Sequence, residues 1–404
     1  MKFLKIALLL LPALAAYLLL WPTGMDPVAW TPRPVPALEG DYAYNEKLKG
    51  IQRLVEGVGV GPEGINVDAV GQVYAGYRDG RVIRMAPGGG PYTEIVNTGG
   101  RPLGISFGPK GGIVIADALK GLLHQGRGLT VLATEADGLR FGFPDDVDSA
   151  NFDKNVYFTD ASWKFGMHNY IKDYLEHGAN GRLLQYNVVT KELRVLLKDL
   201  HFANGVAVGP DDEYVLVNET AEYRVRRYWL KGEKTGTSDI FIDNLPGFPD
   251  NISFNGRDRF WLALYGVRDQ KLEEQLSGSF FVRKLIARLP GWVQPRPKKH
   301  SFVLGLDFDG KVVANLQYAG DDAYAPITSV REFGPWLYFG SLSETAIGRL
   351  PLAHALAGAA LPPAGWEQVP DAREQARTRT RKDIEEEHEA EERRERAEVG
   401  EERD

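Results

Sequence analysis

The chain has 404 residues, 48 Lys+Arg against 55 Asp+Glu and 43% hydrophobic side chains, which allows a large buried core at roughly 100 to 200 residues per domain. A net charge of -7, with no Lys/Arg-rich stripe interleaved with aromatics, speaks against nucleic acid as a partner. Zero Cys excludes disulfides, thiolate catalysis, iron–sulfur clusters and Cys-ligated zinc, so any metal must use oxygen ligands or one of 7 His, while 45 Gly and 24 Pro suit many short strands joined by tight turns.

Lys2 and Lys5 precede an apolar run from Ile6 to Trp21 that Pro22-Thr23-Gly24 breaks. Ala13-Leu14-Ala15 offers a signal-peptidase pattern, but the apolar run continues past it. Residues 1–22 are therefore expected to form an uncleaved signal anchor, a single transmembrane helix with its N-terminus cytoplasmic and the rest of the chain on the extracytoplasmic side. Residues 23–42, with Pro27 to Pro36 Pro-rich, read as a stiff stalk.

Within residues 43–369 one pattern returns six times: a small or acidic polar residue, a short apolar strand, a Gly/Asp/Asn turn and an aromatic-rich strand. The copies begin at Glu63-Gly64-Ile65, Pro102-Leu103-Gly104, Pro144-Asp145-Asp146, Ala203-Asn204-Gly205, Pro249-Asp250-Asn251 and Ile327-Thr328-Ser329. Each leads to a second run, such as Val156-Tyr157-Phe158 or Phe260-Trp261-Leu262. A period of about 40 to 60 residues built from alternating strands predicts an all-β, six-bladed β-propeller. A β-sandwich, or two unrelated β domains, is the plainer alternative for such a pattern.

Two insertions interrupt the blades. Ser162 to His177 carries aromatics and His that suit either a pocket mouth or the top of a blade. Arg268 to His300 reads as a charged helix ending near Leu276, a break at Ser277-Gly278-Ser279 and an amphipathic second half with Arg283, Lys284 and Arg288 among large apolar residues. That half suits a membrane surface, a lid over the channel or packing on the propeller rim. Residues 370–404 close the chain as a charged, disordered tail; Asp371 to Asp404 holds 9 Lys+Arg and 14 Asp+Glu.

In a propeller the innermost strand of every blade lines the central channel, so residues at one offset in different repeats converge. At the repeat starts stand Glu63, Asp145 with Asp146, Asn204, and Asp250 with Asn251. Singly, each reads as ordinary turn chemistry. Jointly they supply only carboxylate and carboxamide oxygens, the ligands hard cations prefer, and Ca²⁺ accepts irregular sets of six to eight. Three carboxylates in a narrow channel repel one another unless a divalent cation offsets the charge.

The stretches Asn151 to Asp160, Gly181 to Tyr186, Phe202-Ala203-Asn204-Gly205-Val206, Tyr228-Trp229-Leu230-Lys231-Gly232 and Asn244 to Ile252 resemble the strictosidine synthase-like and adipocyte plasma membrane-associated protein-like family, within the gluconolactonase and paraoxonase superfamily. The likeness covers roughly Ala43 to Leu352. It implies a six-bladed propeller with a channel metal, often calcium, that several members use to hydrolyse lactones or esters. It places the family's metal-binding Glu on Glu63, its second Asn on Asn204 and its Asp on Asp250, with Asn251 alongside. The family's first Asn falls on Asp145, which keeps an oxygen ligand and adds a negative charge.

Two departures narrow the chemistry. The catalytic Glu of strictosidine synthase falls on Thr328, which argues against alkaloid condensation, and the His that paraoxonase-like enzymes carry before Gly-Ile-Ser is Leu103. What remains is metal-assisted hydrolysis of a lactone or ester, with Asp145 or Asp146 positioning the attacking water. The alternative is a membrane-tethered binding propeller whose channel metal is structural.

Overall fold

The computed structural model describes residues 14–357, apart from 109, 110, 152, 153, 292 and 296. Six antiparallel sheets of four strands each follow one another along the chain. Their innermost strands are Ile65–Val67, Pro102–Phe107, Pro144–Ser149, Ala203–Val208, Gly247–Phe254 and Ser329–Phe333, so each sequence repeat contributes the first two strands of one blade. The expected six-bladed propeller is what forms. In the sixth blade the outermost strand, Gln52–Leu54, comes from the other end of the fold and pairs with Ile347–Pro351, Gln52 opposite Arg349 and Leu54 opposite Ile347. This pairing closes the ring and covers an edge that would otherwise stay open.

The second strands are buried on both faces, which is why they read as near-continuous apolar runs rather than alternating ones. Val156 and Phe158 are wholly buried, as are Trp261 and Phe339. The core accordingly lies between blades. Trp261, Val303, Leu337 and Phe339 pack together at one junction, and Leu216, Phe260 and Leu304 at another.

Around the axis the innermost strands are stitched by side chains. Asp146 Oδ2 accepts the Val206 N–H at 3.0 Å, Asp148 Oδ2 accepts the Val208 N–H at 3.0 Å, and Asn66 Nδ2 donates to Ile105 O at 2.8 Å. Strand backbones too divergent to pair thus keep their polar groups satisfied. Neighbouring strands approach closely at glycines. A Cβ on Gly104 would stand 2.5 Å from Asp146 Cα, and one on Gly205 would stand 2.5 Å from Asn251 Cα, so neither position admits a side chain without displacement.

The third-blade insertion contains a short cap helix, Tyr170–Glu176, that ends at His177 in a left-handed conformation. The fifth-blade insertion forms helices Gln270–Ser277 and Phe280–Arg288, with the break where the sequence places it. Asp269 caps the first by accepting from Lys271 N and Leu272 N, and Ser279 caps the second by accepting from Val282 N. This pair packs on the cap helix: Phe165, Leu175 and Met25 form a small core with Ile171, Leu276 and Ile286.

Of the alternatives for this amphipathic half, packing is what Arg283 shows, for it points inward and is fully buried. Its guanidinium donates to Leu175 O, Glu176 O and Val28 O. The Pro-rich residues 23–42 do not stand apart as a stalk but run along the propeller as a strap. The Val28 N–H donates to Glu176 O at 2.8 Å, Arg33 forms a bidentate pair with Asp243, and Val35 N donates to Gln270 Oε1.

Among the described residues no helix is long and apolar enough to cross a membrane. Residues 14–20 are helical, but residues 1–13 of the expected anchor and the whole of the expected charged tail lie outside the described residues.

Candidate functional site

The polar residues at the repeat starts reach the axis through irregularities in the strands that carry them. Pairing registers shift between Pro144 and Val147, between Ala203 and Val206, and between Pro249 and Ile252. The intervening residues are Asp145-Asp146, Asn204-Gly205 and Asp250-Asn251. A bulge adds a residue that the partner strand cannot match and re-aims the side chains beside it, a device common near active sites.

Glu63, Asp145, Asn204, Asp250 and Asn251 are all buried, between 3% and 7% exposed. Asn251 Nδ2 donates to Glu63 Oε1 at 2.9 Å, which fixes the amide so that its oxygen faces away from that bond. Glu63 Oε2, Asn204 Oδ1 and Asn251 Oδ1 are buried acceptors with no hydrogen-bond partner among the described residues. Unpaired buried acceptors are costly, and three from three different blades ask for a shared cationic or donor partner.

The electrostatics agree. Burial, then the charges of Glu63 and Asp146, push the Asp145 carboxyl well above its ordinary value. Burial, then Glu63 and Asp145, do the same to Asp250. Glu63 is also raised, by burial first, with Arg101 and the bonds from Asn251 and Thr328 opposing. Asp145 and Asp250 both respond to the charge of Glu63, and Asp250 responds to that of Asp145, as side chains gathered near one axis do. Arg101, only 1% exposed, donates to Gly61 O at 2.9 Å, and its Nε and Nη2 have no hydrogen-bond partner among the described residues. Once ionised, three carboxylates against one guanidinium leave two negative charges, which a divalent cation would balance. Oxygen-only donors from carboxylates and amides suit a hard ion.

Asp146 plays another part. Burial lifts its carboxyl to about 8, against bonds from Val206 and Val147. Its two oxygens accept those backbone N–H groups at 3.0 and 2.8 Å, which holds the third and fourth blades together. Asp145 makes no hydrogen bond of this kind among the described residues. Thr328 Oγ1 donates to Glu63 O at 3.1 Å, so the sixth blade brings a hydroxyl and no acid at this point. Leu103 joins the apolar cover of the axis, where Phe143 and Phe202 meet Met167, Tyr170 and Tyr174 of the third-blade insertion. Tyr174 lies 4.5 Å from Phe202, ring centre to ring centre. Burial, then the charge of Asp250, pushes the Tyr174 hydroxyl well above its ordinary value.

Sequence reasoning missed Arg101 and Asn218. Asn218 is fully buried and donates through Nδ2 to Asp250 O at 2.5 Å, while its Oδ1 has no partner among the described residues. Its place in Asn218-Glu219-Thr220 reads as a glycosylation pattern, but neither it nor Asn251 is exposed enough to carry a glycan. Opposition across the sheet, Ala203 against Glu219, is the signal that sets the end of this strand beside Asn204.

Comparisons with known proteins fit this architecture. A strictosidine synthase family model matches residues 145–233, and a strictosidine synthase-like N-terminal model matches residues 40–85. Strictosidine synthase-like protein 6 of Arabidopsis thaliana is 39% identical over 320 residues, covering 76% of this chain and 84% of the relative. The adipocyte plasma membrane-associated protein of Rattus norvegicus is 34% identical over 376 residues, covering 87% of this chain and 99% of the relative. Among solved structures, a gluconolactonase of Xanthomonas campestris superposes with a TM-score of 0.52 at 14% identity, over 74% of this chain and 90% of its own. The calcium-binding protein regucalcin of Agrobacterium tumefaciens superposes at 0.51 with 17% identity, over 74% and 90%, and both likenesses are of fold. With its repeats closed into six blades and relatives of this identity matched over most of their length, the chain belongs to the strictosidine synthase-like family.

Proposed function

We propose that the protein is a metal-dependent hydrolase of lactone or ester substrates, held at a membrane by its N-terminal segment. The observation that supports it most is the set of three buried, partnerless acceptor oxygens on Glu63, Asn204 and Asn251, beside the mutually repelling carboxyls of Asp145 and Asp250. Those five residues would hold the ion, with Ca²⁺ the best match to the donor chemistry. A divalent cation bound there supplies an electrophile that polarises a substrate carbonyl.

The chain's own groups do the rest. Asn251 is oriented by Glu63, and Asn218 fixes the main chain at Asp250. Asp145, with a raised pKa and no side-chain hydrogen bond among the described residues, would orient water and accept its proton. Asp146 holds the adjoining strands in register through its two backbone bonds. Tyr170, Tyr174 and Phe202 form an apolar cover suited to the body of a lactone or aryl ester and exclude bulk water from the axis. A hydroxyl at Thr328 offers no acid for an alkaloid condensation.

The test compares chelator-stripped and Ca²⁺-refilled protein against a panel of lactones and aryl esters. Hydrolysis that returns only on refilling, and that Asp250→Ala abolishes, supports the reading. Equal turnover in both forms overturns the metal's role. Ca²⁺ binding without turnover across the panel replaces the enzyme with a tethered binding propeller.

A further inference from the structure

Away from the axial oxygens, at the C-terminal end of the cap helix, a second cluster has different chemistry. His177 Nε2 lies 3.1 Å from Glu222 Oε1, and His201 Nδ1 lies 4.0 Å from the same oxygen. One ligand atom from each of the three residues falls within 4.8 Å of the others. His177 ends the cap helix, His201 precedes the innermost strand of the fourth blade, and Glu222 lies in the turn after that blade's second strand. We propose that His177, His201 and Glu222 form a second metal site, which takes a first-row transition cation of the Zn²⁺ class and clasps the cap helix to the fourth blade.

Ligand type separates this site from the axial one. Two imidazoles and a carboxylate select borderline ions such as Zn²⁺, whereas the axis offers oxygens alone. Tetrahedral Zn²⁺ with bonds of about 2.0–2.1 Å sets its ligand atoms roughly 3.3 Å apart. The 3.1 Å pair already meets that spacing, and His201 needs to close by under about 1 Å toward Glu222. His201 Nδ1 is itself buried without a hydrogen-bond partner among the described residues, so the nitrogen that would complete the set is one left unsatisfied. Burial also lowers the His201 pKa, which favours the neutral, ligating imidazole.

The surroundings are built to hold the trio. His177 sits at a φ of 55°, a left-handed conformation that an L residue adopts at some cost and that turns its ring off the helix end toward Glu222. Trp30 of the strap stacks on the His177 ring at 4.4 Å, and the Arg283 guanidinium lies 4.8 Å from the Trp30 ring. The second oxygen of Glu222 lies 3.7 Å from Arg224, a cation already engaged by Glu219 at 2.9 Å, while Oε1 faces both imidazoles and is hydrogen-bonded to His177 Nε2, a bond that a metal between them would replace. Three protein ligands leave a fourth position to water.

Titration of chelator-stripped full-length protein with Co²⁺, followed by its visible absorption, tests the site, with Zn²⁺ as competitor and melting temperature as a second readout. One equivalent of Co²⁺ giving a tetrahedral spectrum that Zn²⁺ displaces is expected. His201→Ala and Glu222→Gln should each weaken Co²⁺ binding at least tenfold and remove the Zn²⁺-induced rise in melting temperature. Asp250→Ala should leave Co²⁺ binding unchanged, and Glu222→Gln should leave Ca²⁺ binding unchanged, so loss of the axial reading and loss of this one are distinguishable. Glu222→Gln preserves side-chain shape and decides the matter if His201→Ala fails to fold. Absence of a Co²⁺ spectrum in the wild type, or equal Co²⁺ affinity in Glu222→Gln, overturns the proposal.

Discussion

Glu63, Asp145 and Asp250 hold protons more tightly in the folded protein than free carboxyls do, because burial disfavours the charged form of all three and the charge of Glu63 adds to it at Asp145 and Asp250. The sign of the resulting pH dependence is fixed. Above the ordinary carboxyl values the unfolded chain has released protons that the stripped folded chain retains, so stability falls as pH rises through that interval toward the raised folded values. Cation binding displaces those protons and offsets the loss. Stripped protein should therefore melt higher near about pH 5.5 than near about pH 8, and added Ca²⁺ should raise the melting temperature more at the higher pH. Glu63→Gln should flatten the slope and weaken Ca²⁺ binding at least tenfold, as isothermal titration would show. A stripped protein whose melting temperature rises with pH would contradict this. At the same scale, Glu63, Asn204 and Asp250 were legible because a repeat places equal offsets on one axis. Arg101 and Asn218 were not, since they stand outside that offset and reach the site only through strand pairing and burial.

The bulged inner strand is the element that makes the site. Consecutive residues in a regular strand face opposite ways, so Asp145 and Asp146 cannot share an environment, and the register shift lets Asp145 face the axis while Asp146 binds amides of two strands. Sequence pattern marked the strands but not the bulges, whose cause is the close approach of neighbouring blades. Gly205 is the tightest test of that approach on the fourth blade. Gly205→Ala would set a Cβ 2.5 Å from Asn251 Cα and 2.6 Å from Asp250 O, both backbone atoms. A cost of about 1–3 kcal/mol is expected by denaturant titration, with weakened Ca²⁺ binding because the strand that moves carries two ligands. The helical break at Ser277-Gly278-Ser279 was readable from composition. The inward turn of Arg283 was not, for only the cap helix and the strap supply the carbonyls that receive it.

At the scale of the molecule, the ring was legible from its repeats, whereas its closure was not, since Gln52–Leu54 is short and carries no repeat signature. In an antiparallel pair alternate residues point their N–H groups at the partner, so replacing both Gln52 and Arg53 with Pro must remove at least one ladder bond. A loss of about 0.5–1.5 kcal/mol for each ladder bond removed is expected by chemical denaturation, together with faster proteolysis of the sixth blade. An unchanged unfolding curve would show that the ring does not depend on this strand.

The span from Gln52 to Arg349, 297 positions apart, has a consequence for biosynthesis. The strand that completes the last blade leaves the ribosome among the first, and its partner among the last. Until Ile347–Pro351 emerges, five finished blades form an open arc with an unsatisfied edge, a state prone to stick to other nascent chains. Assembly therefore ends in a single late latching event, and a translation product that stops short of residue 347 lacks the piece that makes an arc into a circle.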